Sequence, residues 1–340
     1  MMRVLTKKDV QAVYSMKDAI ADDKIALAAY SKGDATVPLR TNIDVKPDNG
    51  QSLYMPGYAA GKEPALGVKI VSVYPNNIDK GLPSVPATMV SLNPKTGIVS
   101  AIIDGTYLTQ LRTGALQGAA TDLMANPDAK VATLIGTGGQ APTQLEAMLN
   151  VRQLTCVYVS DIDKDRAAKF AQDMTRRFGK QFKVEILPAV DLQKAIRASD
   201  IITSVTTSKQ ATFDAADVKP GAHINGIGAY TPQMHEIPAE LVKQADIVIF
   251  DTMDGVLAEA GDMISPLKNG LVSKDQYSGE LGQLINGDIK GRDSHDQITL
   301  FKAVGTAVLD VVVAEKILQA AAKADKGTTV SYTHLTLPTN

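Results

Sequence analysis

The segment Val131–Ala141, VATLIGTGGQA, decides the fold expected for this chain. Its first half is a short apolar run, which predicts a buried strand, and its second half is a glycine-rich turn that predicts the start of a helix. The turn fits the pattern G-x-G-x-x-A, in which the first glycine permits a tight turn, the second lets the backbone approach a pyrophosphate, and the alanine lets the helix pack closely on the strand. The sequence therefore predicts a dinucleotide-binding turn made of Gly136, Thr137, Gly138, Gly139, Gln140 and Ala141.

The chain after Asn126-Pro127, which includes this turn, alternates between apolar runs and helical segments. Strands are predicted at residues 130–135, 154–161, 184–187, 200–206, 223–227 and 247–251. Such alternation is typical of a parallel sheet with helices on both faces, which is the doubly wound or Rossmann arrangement. The fold class is therefore predicted to be α/β.

The second of these strands ends at Asp161, which lies 23 residues after Gly138. A carboxylate about 20 residues beyond the glycines commonly binds the ribose hydroxyls of the cofactor. Because an acid at this position repels a 2′-phosphate, NAD(H) is favoured, with NADP(H) as the alternative; the next arginine is Arg166. The structural alternative is that Asp161 caps the helix that follows it.

The chain before this region has a different pattern. Residues 1–30 are predicted to be helical, residues 37–104 to form an antiparallel sheet with Asn, Pro and Gly at its connections, and residues 108–125 to form another helix. A final helix is predicted to begin at about Leu300 and to pack back on the first domain. Its residues of about 303–326 are assigned to that domain. The predicted organisation is an α+β substrate-binding and dimerisation domain at 1–127, completed by that helix, and a nucleotide-binding domain at 128–302.

Composition excludes several classes of protein. The 340 residues exceed the size at which one hydrophobic core usually stops growing, so two domains are expected. A net charge of −2 argues against a nucleic-acid or membrane-surface protein, and a single cysteine excludes an internal disulfide framework. The N-terminus lacks an apolar signal core, so a cytoplasmic protein is expected. Residues 331–340 are expected to be a non-native or disordered tail that contributes nothing to the core.

Two cationic residues of the first domain are candidates for chemistry. Lys69 lies in the middle of the predicted strand ALGVKIVSV, and Arg112 lies near the start of the predicted helix LTQLRTGALQGAA. An amino or keto acid needs an arginine to bind its carboxylate in a bidentate manner, and a desolvated lysine can transfer a proton beside the reacting carbon. The structural alternatives are a solvated lysine on an open sheet face and an ordinary surface arginine, and the residues alone leave them open.

Several stretches of the chain resemble the ornithine cyclodeaminase/mu-crystallin family in order and spacing. They are GVKIVSVYPNN, KGLPSVPATMVSLNPKTGIVSAIIDGTYLTQLRTGALQGAATDLMA, IGTGGQA, INGIGAYTPQMHEI and TLFKAVGTAVLD. The resemblance extends from about Leu5 to Ala324. It implies a homodimer whose N-terminal sheets pair across the two-fold axis, a doubly wound nucleotide domain, and an active site in the cleft between the domains.

The resemblance also implies roles for particular residues. The lysine of the family's G-x-K motif is Lys69, which would contact the substrate and assist proton transfer. The arginine of the L-R-T motif is Arg112, which would bind the substrate carboxylate, and Arg40 in VPLRTNI matches a second carboxylate-binding arginine less closely. The family's cofactor-binding positions are matched by Gly136, Gly138, Gln140, Ala141 and Asp161.

One departure from the family pattern bears on the reaction. Cyclodeaminases resemble one another in G-D-x-P-G-K, where the aspartate acts on the substrate amine and the attacking water, whereas this chain has GAYTPQMHEI with Tyr230 at that position. A tyrosine with an ordinary pKa near 10 is a poor base at neutral pH. The predicted function is therefore an NAD(P)H-dependent oxidoreductase acting on a small α-imino or α-amino acid, such as a cyclic ketimine or alanine. The alternatives are ornithine cyclodeaminase itself and a non-catalytic, mu-crystallin-like binding protein.

Other polar residues give no further predicted site. His223 and His235 are expected to be structural histidines. The acids of the stretch FDTMDGVLAEAGD, residues 250–262, lack the close ligand spacing of a metal site, so no metal is predicted.

Overall fold

The structure is a computed structural model that describes residues 1–331, and these residues divide into two compact units. The first unit comprises Met1–Ser15, Gly33–Thr109 and the chain from Ala307 onward, and the second comprises Met16–Lys32 and Gln110–Thr306. The predicted fold class is confirmed: a doubly wound α/β unit accompanies an α+β unit that contains the last helix.

The first unit is built on one mixed sheet. Its described strands are β1 (Met2–Leu5), β2 (Ala35–Thr36), β3 (Thr41–Val45), β4 (Gly50–Ala59), β5 (Ala65–Val73), β6 (Ala87–Leu92), β7 (Val99–Asp104) and β16 (Thr328–Val330), and its helices are α1 (Lys7–Val13) and α12 (Ala307–Lys323). The strand order is β16-β1-β7-β6-β5-β4-β2, and β3 also pairs with β4. Every pair is antiparallel except β1 with β7.

The expectation of a helix at the very start of the chain is wrong. Met2–Leu5 forms β1, which pairs in parallel with β7 and in antiparallel fashion with β16. These partners lie about a hundred or more residues away in the chain, so no local pattern reveals them. The helical pattern begins only after Thr6, whose side chain forms a capping box with Asp9.

The helix α12 covers one face of this sheet. It packs against β4 and β5, and Gly57 of β4 permits the close approach, because a Cβ at that position would lie 3.2 Å from the Cβ of Ala307. Alternation along β5 directs Gly67, Lys69 and Val71 towards this covered face and leaves Ile70 on the outer one.

The second unit contains a parallel sheet. Its described strands are β8 (Val131–Ile135), β9 (Cys156–Ser160), β10 (Glu185–Pro188), β11 (Ile201–Ser204), β12 (His223–Gly226), β13 (Ile247–Phe250), β14 (Gly279–Glu280) and β15 (Thr299–Lys302). Their order is β10-β9-β8-β11-β12-β15-β13-β14, with every neighbouring pair parallel. The chain order reverses direction between β8 and β11, and in such sheets ligands bind outside the carboxyl ends of the strands at this switch point.

Helices surround the sheet of the second unit. They are α2 (Met16–Ser31), α3 (Gly105–Met124), α4 (Ala141–Val151), α5 (Lys164–Met174), α6 (Lys180–Phe182), α7 (Leu192–Ala198), α8 (Ala239–Gln244), α9 (Met253–Glu259), α10 (Gly261–Lys268) and α11 (Leu281–Asn286). Of α3, the part from Gln110 onward belongs to this unit. Two apolar clusters form the core on the two sides of the sheet, one including Phe250 and Leu300 and the other including Leu134 and Val157.

The structure differs from the sequence expectation at both ends of this unit. Residues 299–302, expected to begin the last helix, instead form the central strand β15 between β12 and β13, and α12 starts at Ala307. Helix α2 and most of α3 group with the second unit, although the predicted boundary lies near residue 127. Gly114 and Gly118 of α3 explain this grouping, since a Cβ at either would collide with Thr143 or Ile20 of the neighbouring helices.

Two further expectations concern the chain as a whole. The predicted tail at 331–340 lies, apart from Ser331, outside the described residues. Among the helices of residues 1–331, none is both long and apolar enough to cross a membrane.

Candidate functional site

The glycine-rich turn lies at the switch point of the parallel sheet. Gly136 follows β8 with a φ of +98°, and a Cβ there would lie 2.7 Å from the carbonyl oxygen of Val205, just beyond β11. Only glycine fits this conformation and this close approach. Gly138 is exposed, and a Cβ built on it would meet nothing within 4 Å, so the backbone is open to a ligand at this point.

The helix that follows the turn is suited to bind an anion. Helix α4 begins at Ala141 without a side chain that caps its first turn, and Pro142 occupies a position where an amide hydrogen is not needed. The first turn of a helix presents unsatisfied N–H groups and the positive end of the helix dipole. The Oε1 of Gln140 is buried without a hydrogen-bond partner among the described residues. The residues of the turn therefore fit the pyrophosphate of a dinucleotide.

Asp161 lies beside this turn, at the carboxyl end of β9. Its Oδ2 accepts hydrogen bonds from the backbone N–H of Thr137 at 3.0 Å and from the Thr137 hydroxyl at 2.5 Å. Burial raises the pKa of the Asp161 carboxyl, but these bonds, the amide of Asp163 and the charge of Arg166 outweigh it and leave the pKa below its ordinary value. The carboxylate is thus charged at neutral pH and fixes the conformation of the turn.

A buried acid that was not identified from the sequence binds the loops that follow β11 and β12 at the carboxyl edge of the parallel sheet. Glu236 is fully buried and accepts hydrogen bonds from the Ser204 hydroxyl and from the backbone amides of Thr206, Gly228 and Ala229 at 2.5–2.8 Å. Lys302, at the end of β15, lies 3.9 Å from Glu236 and 2.8 Å from Asp262. This cluster orders the loops that follow β11 and β12, and Tyr230 lies in the second of them.

Lys69 is buried in the first unit and forms an ion pair there. Its side chain is 1% exposed, and its Nζ donates a hydrogen bond of 2.7 Å to Oδ2 of Asp310 in α12. The structural alternative of a solvated lysine on an open sheet face is therefore excluded. Asp310 was not identified from the sequence, where VLDVVVAEK shows only one acid in an apolar helix.

Arg112 is buried in the second unit, with 5% of its surface exposed. Its guanidinium lies against Gly305, because a Cβ on that glycine would be 2.8 Å from Nη1 and 3.2 Å from Nη2. An ordinary surface arginine is therefore excluded as well. A buried guanidinium with its rigid fork of donors is suited to bind a carboxylate.

The structure assigns the remaining candidates to the two units as follows. Arg40 is half-buried in the connection between β2 and β3 of the first unit, and Tyr230 is half-buried in the second unit. The turn residues and Asp161 are brought together in the second unit, which also contains Arg112, whereas Lys69 belongs to the first.

The histidines and acids set aside in the sequence have structural contacts. His223 is fully buried between Thr299 and Asn225, and desolvation lowers its pKa to about 3. His235 pairs with the Ser265 hydroxyl. Asp262 accepts hydrogen bonds from the amides of Glu236 and Ile237. In the described part of the chain, no group of three or more His, Cys, Asp or Glu side chains is arranged to hold a metal ion.

Comparison with known proteins identifies the family. The family model for ornithine cyclodeaminase/mu-crystallin proteins matches residues 1–325. The chain belongs to the ornithine cyclodeaminase/mu-crystallin family. The resemblance inferred from the sequence motifs is therefore confirmed.

Three similar proteins are informative. A Delta(1)-pyrroline-2-carboxylate reductase of Bacillus cereus is 33% identical over 331 residues, which cover 97% of this chain and 100% of the relative. The structure of the Thermococcus litoralis Delta(1)-pyrroline-2-carboxylate reductase in complex with NADH and L-proline has a TM-score of 0.91 at 39% identity, covering 97% of this chain and 100% of that one. An archaeal alanine dehydrogenase dimer with bound NAD has a TM-score of 0.88 at 31% identity, covering 98% and 99%.

Proposed function

We propose that this protein is an NAD(P)H-dependent oxidoreductase that reduces the C=N bond of a small α-imino acid. A cyclic ketimine such as 1-pyrroline-2-carboxylate is the first candidate substrate, and the imine formed from pyruvate and ammonia is the second. The observation that carries the proposal is the buried pair of Lys69 and Asp310, because a desolvated ammonium held by a carboxylate is a proton donor fixed in position. The names of the relatives support the same class of reaction.

The second unit supplies the cofactor site in this proposal. Residues Gly136 to Ala141 would bind the pyrophosphate, and Asp161 would accept the ribose hydroxyls, which favours NAD(H) over NADP(H). The cofactor, when bound, supplies a hydride to the α-carbon of the substrate. Arg166 lies 3.7 Å from Asp161 and is more than half exposed, so it balances only part of the charge that opposes a 2′-phosphate.

The proton and the carboxylate are handled by the chain's own residues. Arg112 would bind the substrate carboxylate in a bidentate manner, with Arg40 as a second contact and Tyr230 beside the substrate. On reduction of the C=N bond, its π electrons would move to nitrogen, which would take a proton from Nζ of Lys69. Lys69 then regains a proton from solvent, so each turnover consumes one hydride and one proton.

The proposed assembly is a homodimer formed through the outer face of the first unit's sheet. That face exposes apolar side chains, including Ile43, Tyr58 and Ile70, of which Ile43 is about half exposed. Large apolar side chains exposed on one face of a sheet are a feature of protein interfaces. Light scattering should give twice the 36.1 kDa chain mass, and Ile70→Asp should shift the protein towards monomer. A monomeric wild-type protein would contradict this assembly.

The function is tested by following NADH oxidation with a panel of substrates. The panel contains 1-pyrroline-2-carboxylate, pyruvate with ammonia, and other keto acids with amines, and a parallel assay contains ornithine with catalytic NAD⁺. We expect stoichiometric NADH oxidation with at least one imino acid. Release of ammonia from ornithine without net change in NADH would instead establish a cyclodeaminase, and tight NADH binding without turnover on any substrate would establish a binding protein.

A further inference from the structure

The guanidinium of Arg112 lies against a glycine whose backbone has a positive φ. Gly305 has a φ of +84°, a conformation that L-residues rarely adopt, and the space that its Cβ would fill is occupied by Nη1 and Nη2 of Arg112. The backbone turn thus favours glycine, and a Cβ at this position would displace the guanidinium of Arg112. Both residues belong to the second unit.

A buried carboxylate holds this turn in place. Asp251 follows β13 and is fully buried, and its Oδ2 accepts the backbone amides of Val304 at 3.1 Å and Gly305 at 2.7 Å. Its Oδ1 accepts the amide of Thr252 at 2.8 Å, and its own amide donates to the carbonyl oxygen of Lys302. Asp251 therefore ties the turn after β15 to the end of the neighbouring strand β13.

We infer that Gly305 and Asp251 are positioning residues, which fix the orientation of the Arg112 guanidinium for bidentate binding of the substrate carboxylate. The inference rests on the proposed function, in which Arg112 binds that carboxylate. Bidentate recognition depends on the plane of the guanidinium, so a rotation of the group loses one of two parallel hydrogen bonds without removing the charge. The predicted consequence is weaker binding of the carboxylate substrate, with the cofactor site unaffected.

The chain offers a matched control for the glycine. Gly270 lies in the same unit with a φ of +70°, but a Cβ on it would meet nothing within 4 Å. Gly270→Ala therefore introduces the same kind of backbone strain as Gly305→Ala without the contact with Arg112. A comparison of the two variants separates the loss of the turn from the displacement of the guanidinium.

The experiment measures three quantities for both variants: KM for the imino acid, kcat, and the Kd of NADH by its fluorescence. We expect Gly305→Ala to raise KM by about 10- to 100-fold, the effect expected for loss of one of the two charge-assisted hydrogen bonds to the carboxylate. The Kd of NADH should match that of Gly270→Ala. Equal KM values for the two variants would overturn the inference.

Two further arms keep the inference testable. Asp251→Asn replaces a carboxylate that accepts three backbone amides by a group with one acceptor oxygen, so it should also raise KM. An unchanged KM would contradict the role of Asp251. If Gly305→Ala does not fold, the test is made with Asp251→Asn. Calorimetry should then show that this variant, loaded with NAD⁺, binds L-proline more weakly than the wild-type protein does. A wild-type protein that reduces no imino acid would refute the proposed function, whereas normal wild-type turnover with unaltered variants would refute only this inference.

Discussion

Two lysines, one in each unit, are buried to the same extent and are each paired with an aspartate. Lys69 is 1% exposed and lies 2.7 Å from Asp310, and Lys302 is 0% exposed and lies 2.8 Å from Asp262. Burial of a charge is costly unless it is paired, so both pairs are needed for their charges to persist. By burial and distance alone the two lysines cannot be told apart.

The acids around the two lysines differ. Those beside Lys302, namely Asp262 and Glu236, accept backbone amides from several loops, so the cluster determines the conformation of the carboxyl edge of the parallel sheet. Lys69 instead projects from the middle of a strand to a helix that crosses it. Because the acids beside Lys302 bind backbone amides of several loops, we expect Lys302 to support the structure. We expect Lys69 to support the chemistry.

The largest expected effect is that of Lys69→Ala on turnover. Loss of a positioned proton donor costs about 10²- to 10⁴-fold in kcat. The Kd of NADH should change little, because Lys69 is not among the residues proposed to bind the cofactor. Lys62, exposed in the turn between β4 and β5, provides the control Lys62→Ala, which should retain wild-type kinetics. A kcat of Lys69→Ala close to that of Lys62→Ala would contradict the assigned role.

The next effect is that of Lys302→Met on stability. Removing the ammonium leaves Asp262 and Glu236 buried without it, which should lower the free energy of unfolding by about 3–5 kcal/mol. The double variant Lys302→Met, Asp262→Leu should not recover this loss, because leucine cannot accept the amides of Glu236 and Ile237. Urea unfolding measures both values, and full recovery in the double variant would show that the cluster does not hold the loops.

A smaller effect concerns His223, a buried base that is kept neutral rather than charged. Its pKa is lowered to about 3 in the folded protein, against 6.5 when unfolded, so its contribution to stability is complete above pH 6.5 and is lost as the pH falls towards 3. Between pH 8 and pH 5 this group should cost about 2 kcal/mol of stability. His223→Asn should reduce the change in the free energy of unfolding between pH 8 and pH 5, as measured with urea. An unchanged dependence on pH would show that other groups cause the loss of stability in acid.

The smallest expected effect is that of Asp310→Asn on turnover. The amide preserves the shape of the side chain but no longer holds the ammonium of Lys69 as a charged partner, so kcat should fall by about tenfold. Added to Lys69→Ala, the same substitution should lower kcat no further, because the two residues act as one unit. An additive loss in this double-mutant cycle would show that Asp310 acts on turnover independently of Lys69.

The sequence allowed prediction of those parts of the molecule whose requirements are local. The turn at Gly136 and Gly138 depends on glycine conformation and spacing within a few residues, and the face of β5 that bears Lys69 follows from simple alternation. The helix that bears Arg112 was also predicted, although the residues alone left its burial open. Each of these features can be recognised without knowledge of the rest of the chain.

The parts that were missed depend on contacts between distant segments. Asp310 pairs with a lysine 241 residues away, and Gly305, in the turn after β15, contacts an arginine of helix α3. The short strands β1 and β15 acquire their identity from neighbours on both sides and carry no periodic signal of their own. Such features arise from tertiary packing, which overrides local propensity.

The most direct test of the central claim is the fate of the hydride. With NADH that carries deuterium at the transferable C4 position and with 1-pyrroline-2-carboxylate as substrate, we expect proline with one deuterium at Cα for each NADH oxidised, as measured by mass spectrometry. The same experiment with Lys69→Ala should give the same label at a much lower rate. Proline formed without deuterium, or from ornithine with no net use of NADH, would contradict the account.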